Sequence, residues 1–592
     1  MKKLLLLLAF FLSAFFTNAQ AIQDWTSGLP SIAYYNNHTI ATDSQGNVYS
    51  VGTYDGVSRD FDSGAGVFTM SSFSSNMYIV KVNATGNFVW AKQIGGATTY
   101  AITSATAITI DASDNIYIAG STNKIVGIGS LDFDPGAGLV DVVNPTGHYV
   151  MYILKLDSNG NYLWNRQFNN PANTQYDQDK MYAIKVDASG NIYATGGFNG
   201  TVDFDPSVSG VNNITSVATN LSTDIFILKL SNQGNFLWAK ALFDNATATD
   251  TKSNNGYAID VDSSGNVYTT GYYWFGIDAD PGISIHSLVS YTSNNPIITG
   301  GNTQYISKLD ANGNYVWAYD LKGDHSLNVL PSLVVDNSNN VIISGYNNQS
   351  SIPDFDFSTG IFTLPIDTSS FIFKINANAG LIWAKSAARE TIVNASHGCF
   401  SPGLALDLAG NIYSSGSFGV YGPVDFDPSA ANYILTSAGA NDGYISKLDT
   451  NGNFVWANKI GGTGNDYCFS IAVSPLGKVT VSGKTDTGFS RSIAAVSTGG
   501  FLASFSQPAL ATSQFDLDKN ISVYPNPTTS EFNIKISENL MGAKATIYNI
   551  LGQKIKDFTL NSLTTNQNLD KGMYLIAIEK DGNTITKKEV VN

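Results

Sequence analysis

Short apolar segments alternate with polar, glycine-containing turns along most of the chain. In residues 187–240, Asp-Ala-Ser-Gly-Asn precedes Ile-Tyr-Ala-Thr-Gly, and the apolar run at 225–230 precedes Ser-Asn-Gln-Gly-Asn and a stretch containing Trp238. Asp, Ser and Asn stabilise such turns, and Gly allows the positive φ that a hairpin corner requires. The pattern predicts four short strands at residues 182–187, 191–196, 225–230 and 235–239.

This four-strand pattern repeats along the chain. The Asp-initiated turn and its following strand end at Gly52, Gly120, Gly196, Gly271, Gly345 and Gly416, with a degenerate seventh copy at 474–483. The fourth strand carries Trp90, Trp164, Trp238, Trp317, Trp383 or Trp456, spaced 66 to 79 residues apart. Repeated four-stranded units predict a β-propeller, here of seven blades. Because the seventh copy has no tryptophan strand, we expect the segment around Trp25 to complete it.

Two elements define the repeat, Asp-x-x-Gly-Asn-x-Tyr-x-x-Gly and Lys-Leu-x-x-x-Gly-Asn-x-x-Trp. They resemble the bacterial seven-bladed β-propeller repeat family over about residues 22–506. The resemblance implies an architecture and specifies no activity, since one fold hosts many functions.

A different pattern follows residue 507. Predicted strands at 521–524, 531–536, 544–549, 553–558, 573–579 and 584–590 alternate polar and apolar residues, which is typical of a small β-sandwich. The predicted fold is therefore all-β: a seven-bladed β-propeller at 20–507, a linker at 508–519 and an Ig-like sandwich at 520–592.

The C-terminal segment also carries a set of motifs. Its motif residues are Tyr524, Pro525, Asn526, Pro527, Tyr548, Gly552, Gly572, Tyr574, Lys587 and Lys588. Together they resemble the type A C-terminal sorting domain of the type IX secretion system. The resemblance implies recognition by the outer-membrane translocon and sortase, and removal of the domain as the cargo is released or anchored at the cell surface.

The N-terminus predicts an export signal. Lys2 and Lys3 precede an apolar run at 4–16, and Thr17-Asn18-Ala19 offers a cleavage site, so residues 1–19 are predicted to be a signal peptide that engages the Sec machinery. No other apolar segment is long enough to span a membrane. We therefore expect export across both membranes, to the extracellular space or an anchored position on the cell surface.

Composition and charge exclude some classes of binding partner. The net charge of −15 argues against nucleic acids and anionic lipids, which repel an acidic protein. Two cysteines, Cys399 and Cys468, exclude a disulfide framework but leave open one bridge or two thiols.

The long loop between the second and third strands carries paired aspartates. The pairs are Asp60 and Asp62, Asp132 and Asp134, Asp203 and Asp205, Asp278 and Asp280, Asp354 and Asp356, and Asp425 and Asp427. Alternate residues of an extended chain point the same way, and Ca²⁺ prefers carboxylate oxygens. The pairs at 132, 203, 278 and 425 are therefore candidate calcium ligands. The interpretation that we favour is that the aspartates cap turns while the residue between them packs between blades.

Candidate chemistry is otherwise sparse. Tyr272, Tyr273 and Trp274 form either a platform for a sugar ring or a hydrophobic plug under a loop. The five histidines share no repeat position, and no Gly-x-Ser-x-Gly element occurs. We therefore expect a non-catalytic surface or extracellular protein that binds or adheres to a glycan or protein. The alternatives are an extracellular polysaccharide- or protein-degrading enzyme with its site on the long-loop face, and a calcium-stabilised structural component of the surface.

Overall fold

The computed structural model describes most of the chain. The described residues are 21–29, 39–54, 58–72, 75–96, 101–124, 131–141, 149–170, 179–217, 222–245, 253–290, 302–321, 330–346, 353–365, 367–390, 400–419, 422–486, 489–491, 494–496, 499–507, 521–549, 553–580 and 583–592. The predicted signal peptide, the predicted linker at 508–519, Cys399 and Gly552 lie outside these ranges.

The all-β prediction is confirmed. The described residues form strands and one 3₁₀ turn at Glu538–Leu540, with no α-helix among them. The chain divides into two compact units, residues 1–506 and 507–592, and each is described by itself.

The strands of the first unit are short and follow one another closely. Up to residue 244 they are β1 (Ile22–Leu29), β2 (Thr39–Thr42), β3 (Val48–Tyr54), β4 (Arg59–Asp60), β5 (Thr69–Met70), β6 (Asn76–Val82), β7 (Phe88–Gly96), β8 (Ala101–Ile110), β9 (Ile116–Lys124), β10 (Leu131–Asp132), β11 (Tyr149–Leu156), β12 (Tyr162–Phe168), β13 (Lys180–Val186), β14 (Ile192–Phe198), β15 (Thr201–Asp203), β16 (Asn213–Thr215), β17 (Asp224–Leu230) and β18 (Phe236–Asp244). Beyond it they are β19 (Asn255–Val261), β20 (Val267–Tyr273), β21 (Gly276–Asp278), β22 (Ser287–Val289), β23 (Thr303–Leu309), β24 (Tyr315–Leu321), β25 (Ser332–Val335), β26 (Val341–Tyr346), β27 (Thr368–Ile375), β28 (Leu381–Glu390), β29 (Phe400–Leu406), β30 (Ile412–Phe418), β31 (Val424–Asp425), β32 (Ile434–Leu435), β33 (Asp442–Leu448), β34 (Phe454–Ile460), β35 (Asp466–Val473), β36 (Val479–Thr485), β37 (Phe489–Arg491), β38 (Ala494–Val496) and β39 (Gly499–Ser506).

One antiparallel meander recurs in this unit. Six sheets contain this meander of four strands: sheet 1 (β2-β3-β6-β7), sheet 2 (β8-β9-β11-β12), sheet 3 (β13-β14-β17-β18), sheet 4 (β19-β20-β23-β24), sheet 5 (β25-β26-β27-β28) and sheet 6 (β29-β30-β33-β34). Sheet 7 has the order β35-β36-β39-β1. Its fourth strand is the N-terminal β1, which pairs with β39 from Ile22 opposite Ser506 to Leu29 opposite Gly500.

The repeated turn explains the repeated sequence. Asp187 Oδ1 accepts the backbone N–H groups of Ser189 and Asn191, both at 2.8 Å. Gly190 has a φ of +82°, a conformation that favours glycine. The Asp and Gly of the motif therefore fix the corner between β13 and β14, and the equivalent turns at Asp43, Asp262 and Asp407 are built in the same way.

Neighbouring sheets share buried side chains. The third strand of each sheet is almost entirely buried, as β17 shows with every residue buried except Lys229. One cluster joins Tyr49 of sheet 1 to Tyr152 of sheet 2. Another joins Leu502 of sheet 7 to Tyr78 of sheet 1. The first and last sheets of the unit therefore contact each other.

The second compact unit has two sheets. Its strands are β40 (Ile521–Tyr524), β41 (Glu531–Ile536), β42 (Ala543–Asn549), β43 (Lys554–Leu560), β44 (Thr564–Asn568), β45 (Gly572–Lys580) and β46 (Asn583–Val591). They form a β40-β41-β44 sheet and a β43-β42-β45-β46 sheet. Phe532 and Ile534 of the first lie in one buried cluster with Ile547 and Ile576 of the second. The sequence did not predict β44, whose residues are all polar.

Candidate functional site

A buried polar cluster recurs in the first unit where the repeat places Asp, Tyr and Lys. In sheet 1, Tyr49 Oη donates to Asp43 Oδ2 at 3.0 Å, and Lys81 Nζ lies 3.4 Å from the same oxygen. Lys81 also donates to the Ser158 carbonyl of sheet 2, at 3.2 Å. Burial acts to raise the pKa of Asp43, but hydrogen bonds from Asn47 and Tyr49 and the Lys81 charge hold it below its ordinary value. The cluster therefore joins two sheets through groups that satisfy one another.

The same cluster occurs elsewhere. Tyr117 and Tyr413 donate to Asp111 and Asp407, at 2.9 and 3.0 Å. The paired lysines lie 3.7 Å from each carboxylate, and burial lowers the pKa of both Lys155 and Lys447. These perturbed groups form a structural repeat, so perturbation alone does not mark a catalytic site.

The paired aspartates lie on a second repeated element, here called the Asp-x-Asp hairpins. They occupy residues 60–69, 132–141, 203–213, 278–287, 354–363 and 425–434. Asp132 Oδ1 accepts the N–H groups of Asp134 and Val140 at 2.9 and 2.8 Å, and Asp134 Oδ1 accepts that of Gly136 at 2.7 Å. The first aspartate of the other five pairs, including Asp203, Asp278 and Asp425, accepts two backbone N–H groups in the same way.

The residue between the two aspartates lies in the core. Phe133 is fully buried, with its ring centroid 4.9 Å from that of Tyr152 in its own sheet and in one cluster with Ile94 of the preceding sheet. Phe204, Phe355 and the smaller Ala279 are buried in the same way. These contacts support the turn-capping and packing interpretation of the hairpins.

Calcium at the hairpins remains a prediction. Asp205, Asp280 and Asp427, like Asp134, each donate their own N–H to the first aspartate. Each of these four carboxylates also accepts the backbone N–H of the residue two positions further on. Asp425 also forms an ion pair with Arg389. Within the described ranges, no three His, Cys, Asp or Glu side chains converge in a geometry suited to a metal ion.

Several Asp-x-Asp hairpins extend the preceding sheet. β10 pairs with the end of β7, with Leu131 opposite Gly96. β21 pairs with the end of β18, and β31 with the end of β28. Each of these hairpins is therefore held by hydrogen bonds to the fourth strand of the sheet before its own.

One position of the hairpins is apolar and exposed. It is the residue immediately before the second N–H donor to the first aspartate. In five of the six hairpins it is Val67, Leu139, Val211, Ile285 or Ile361, and these side chains are 67% to 83% exposed. The sixth hairpin has Asn432 there, with exposed Ile434 two residues on. Sequence reasoning missed this position, although the spacing from the first aspartate was available as a signal.

The predicted aromatic platform is largely inaccessible. Tyr272 and Tyr273 are buried in β20, and Tyr273 Oη donates to Asp320 at 2.9 Å. Burial raises the pKa of both phenols. Trp274 is partly buried, and its backbone N–H donates to Asn254 Oδ1 at 2.9 Å. A sugar platform at this place would rest on Trp274 alone.

The remaining candidate residues have ordinary surroundings. Cys468 is a buried free thiol, and burial raises its pKa. The backbone N–H of His286 donates to Asp278 in a hairpin. The other four histidines lie outside the described residues.

The C-terminal unit brings two predicted motif segments together. Asn526 Oδ1 accepts the Val590 N–H at 3.2 Å, and the Thr528 N–H donates to the Val590 carbonyl at 2.9 Å. Tyr524 is exposed beside them. The Tyr-Pro-Asn-Pro segment therefore holds the last strand, which carries Lys587 and Lys588.

The third motif segment lies in the neighbouring strand. In β45, Leu575 lies opposite Tyr548 on one side and Lys588 on the other. Tyr574 Oη donates to the Asp570 carbonyl at 2.9 Å, close to Gly572. Of the motif residues described by the structure, those of β42, β45 and β46 share one sheet, Tyr524 ends β40 of the other sheet, and the segment after it contacts β46.

Comparison with known proteins assigns both kinds of element. Residues 522–592 match the secretion system C-terminal sorting domain, and residues 89–124 match a β-propeller repeat. Both predicted resemblances are confirmed. The chain contains a β-propeller repeat and a type IX sorting domain, and that domain directs export to the cell surface or extracellular space through the type IX machinery. Over the described residues, no helix combines the length and hydropathy of a membrane span.

Three individual proteins are similar to the chain. An uncharacterized WD repeat-containing protein, L264 of Acanthamoeba polyphaga mimivirus, is 24% identical over 515 residues, covering 78% of this chain and 36% of the relative. The chain thus spans about a third of that relative's length. The structure of a DUF4221 family member from Bacteroides vulgatus has 8% identity and a TM-score of 0.33, and the match covers 82% of this chain and 98% of the DUF4221 chain. PorZ, a surface component of the type IX secretion system of Porphyromonas gingivalis, has 10% identity and a TM-score of 0.15, and the match covers 96% of this chain and 100% of the PorZ chain. Scores this low support no statement about this chain.

Proposed function

We propose that the first compact unit is a seven-bladed β-propeller displayed at the cell surface or secreted, and that it binds another protein through its Asp-x-Asp hairpins. Each of sheets 1 to 7 is one blade in this proposal, and the second unit is a β-sandwich that delivers the propeller through the type IX machinery. No catalytic step is assigned to it.

Three contacts support the closed ring. β1 supplies the fourth strand of sheet 7. Leu29 of β1 lies in one buried cluster with Phe61 of the first hairpin. Ser27 Oγ lies 2.6 Å from Ser63 Oγ of that hairpin. The hairpin of sheet 1 therefore lies against β1 of sheet 7, just as the hairpin of sheet 2 lies against β7 of sheet 1.

The observation that carries the binding proposal is the repeated exposed aliphatic residue of the hairpins. A single exposed aliphatic side chain is ordinary on a protein surface. The same position occupied by Val, Leu or Ile in five hairpins is a property of the repeat, and the hairpin fold needs no such side chain because its hydrogen bonds come from aspartate and backbone. Several weak, equivalent contacts raise the strength of attachment when the partner is itself multivalent.

A protein partner fits this chemistry better than the alternatives. Glycan sites stack sugar rings on exposed aromatic faces, whereas Tyr272 and Tyr273 are buried. The exposed hairpin residues are aliphatic, which suits apolar side chains of another protein. The buried carboxylates Asp43 and Asp407 are bound to Tyr and Lys, so they offer no free acid or base for an enzyme.

The test uses the purified full chain carrying a fluorescent label and bacterial cells as the binding surface. A variant with Val67→Ser, Leu139→Ser, Ile285→Ser and Ile361→Ser should lose at least ~10-fold in apparent affinity, because multivalent contacts multiply. Protease treatment of the cells should abolish wild-type binding.

A matched control comes from the fourth strands. Val89, Leu237 and Val316 are also exposed aliphatics, at 44% to 47%, but lie outside the hairpins. Replacing them with serine should leave binding unchanged. Equal losses in both variants, or binding that survives protease and disappears after glycan oxidation, would refute the proposed surface or its protein partner. Hydrolysis of a polymer by the wild type would refute the non-catalytic assignment.

A further inference from the structure

Sheets 6 and 7 meet at three buried oxygens that lack a hydrogen-bond donor. They are Asn441 Oδ1, Asp442 Oδ1 and Asp466 Oδ1. Asp442 and Asp466 are fully buried, and Asn441 is 6% exposed. A buried acceptor without a partner costs about 1–3 kcal/mol, and more when it is charged. Because two of the three acceptors belong to carboxylates, a positively charged partner would suit this place.

The corresponding place between sheets 3 and 4 provides an internal reference. Asp224 opens β17 opposite Phe198, as Asp442 opens β33 opposite Phe418. The Asn254 N–H donates to the Thr223 carbonyl, as the Asp466 N–H donates to that of Asn441. Asp224 thus corresponds to Asp442, and the neutral Asn254 corresponds to Asp466.

The two places differ in one donor. Asp224 Oδ1 accepts the N–H of Asp244, the last residue of the tryptophan strand β18, at 2.6 Å. The equivalent N–H in sheet 6 belongs to Gly462, and it donates to Asp466 Oδ2 at 2.8 Å. Asp466 therefore takes the donor that the repeat provides for Asp442, and Asp442 Oδ1 is left without one.

Both carboxylates face the same point of the main chain. A methyl group on Gly461 would lie 2.7 Å from Asp466 Oδ2 and 2.8 Å from Asp442 Oδ1. Gly461 has a φ of +152° and no side chain to separate the two groups. Two like charges are thus held close together in a buried place, where their repulsion is stronger than in water.

The local charge is not balanced. Lys459 Nζ lies 3.4 Å from Asp442 Oδ2, and Lys484 pairs with Asp486 at 3.2 Å. Among the ion pairs of the described residues, none involves Asp466. Burial, more than any other cause, raises the pKa of Asp466; the Asp442 and Asp486 charges act in the same direction, against hydrogen bonds from Thr485 and Gly462.

We propose that Asn441, Asp442 and Asp466 form a calcium site that fastens sheet 7 to sheet 6. The donors are oxygens only, two carboxylates and one amide, which is the set that a hard divalent cation prefers, with carbonyls and water completing its shell. The site is distinct from the Asp-x-Asp hairpins, whose aspartates already accept backbone N–H groups. Asp442 is the first residue of β33 in sheet 6, and Asn441 directly precedes it. Asp466 is the first residue of β35 in sheet 7, so the cation bridges the two sheets.

Thermal unfolding of the full chain in Ca²⁺ and in chelator tests the site. A cation that binds only the folded state raises the Tm. At about 5 mM Ca²⁺, above the ~1 mM dissociation constants of weak extracellular sites, we expect a rise of about 1–3 °C. Asp466→Asn should remove this response. In chelator, that variant should be more stable than the wild type, because its amide adds a donor and removes a buried charge.

Two control variants isolate the site. Asp224→Asn changes the corresponding carboxylate of sheet 3 and should lower the Tm while keeping the calcium response. A hairpin variant, Asp132→Asn with Asp134→Asn, should also keep it. An unchanged response in Asp466→Asn, or a response lost only in the hairpin variant, would overturn the proposal. So would a wild type insensitive to Ca²⁺ whose Tm falls as pH rises, since the pair would then share a proton.

Discussion

Sheet 1 contacts sheet 2, and sheet 7 contacts sheet 1, through different side chains. In sheet 1, Asp43, Tyr49 and Lys81 form the buried cluster, and Lys81 reaches the Ser158 carbonyl of sheet 2. In sheet 7 the corresponding positions are Ser474, Thr480 and Ser504, and the Thr480 hydroxyl donates to Ser504 at 3.2 Å. Sheet 7 therefore has no buried charge at this place.

A lysine from another position takes over the contact in sheet 7. Lys478 Nζ donates to the Ala84 carbonyl of sheet 1 at 3.4 Å and lies 3.1 Å from Asp24 Oδ2 at the start of β1. Asp24 also accepts the Ser506 hydroxyl at 2.7 Å. Where all four strands are contiguous, the ion pair lies within one segment. Where the fourth strand comes from the far end of the chain, the ion pair joins the two ends.

Removing β1 tests the difference most severely. A protein lacking residues 22–29 would expose the edge of β39 and the buried Leu502, with which β1 is in contact. We expect loss of the single cooperative transition of the first unit in calorimetry. Adding a peptide of residues 21–29 should restore it. A variant that melts like the full chain would show that sheet 7 does not depend on β1.

The contact between β1 and sheet 1 can be broken at one glycine. Gly86 has a φ of +84°, and a methyl group there would lie 2.5 Å from the Trp25 ring. Gly477 has a similar φ of +74° with no atom within 4 Å of that position. Gly477→Ala should cost about 1–2 kcal/mol in unfolding free energy from backbone strain alone. Gly86→Ala should cost about 2–4 kcal/mol, because it also displaces Trp25. Equal losses in urea titrations would show that the Trp25 contact is unimportant.

Acid should weaken sheet 1 through its Asp43 cluster, because the equivalent position of sheet 7 is Ser474, which carries no carboxylate. The pKa values of Asp43, Asp111 and Asp407 lie below their ordinary value of 3.8 in the folded protein. The stability that these carboxylates contribute is present above that value and is lost as pH falls through the lower folded-state pKa. Asp43→Asn should therefore lower stability at pH 7 and reduce its decline between about pH 5 and 2. An unchanged decline would remove Asp43 from the acid response. Ser474→Ala should leave the slope as it is.

The smallest effect is expected at Lys478. Its ion pair with Asp24 is partly exposed, so Lys478→Met should cost less than about 1 kcal/mol. The loss should shrink in about 0.5 M NaCl, since salt screens exposed charges. Lys484→Met, at a similarly exposed pair, serves as the control in the same urea titrations. A loss independent of salt would indicate that packing of the lysine stem, and not its charge, supports β1.

Local sequence patterns predicted the all-β class, the propeller repeat and the sorting domain, because each depends on motifs of residues that are contiguous in sequence. The strands expected at 182–187 and 225–230 correspond to β13 and β17. Pairing of the hairpins with the preceding sheet was not predicted, since it joins segments such as 95–96 and 131–132 that share no sequence signal. The sequence left open whether Tyr272 and Tyr273 form a surface platform or a hydrophobic plug, because it does not show that every residue of β20 is buried.

The candidate calcium site shows the same limit. Asp442 and Asp466 lie in ordinary repeat positions, and neither stands out in the sequence. Only the register reveals that Asp466 takes the Gly462 N–H from Asp442. The calcium hypothesis considered aspartates two residues apart in sequence, whereas Asp442 and Asp466 are separated by the rest of β33 and the whole of β34.

The hairpins that lie on the preceding sheet also bear on solubility. An uncovered strand edge can pair with the edge of another molecule and begin aggregation. β10, β21 and β31 occupy the ends of β7, β18 and β28, so those backbone groups are already paired. Cytoplasmic chaperones do not reach an exported protein. The hairpins that expose the aliphatic residues therefore also protect this protein against edge-to-edge association.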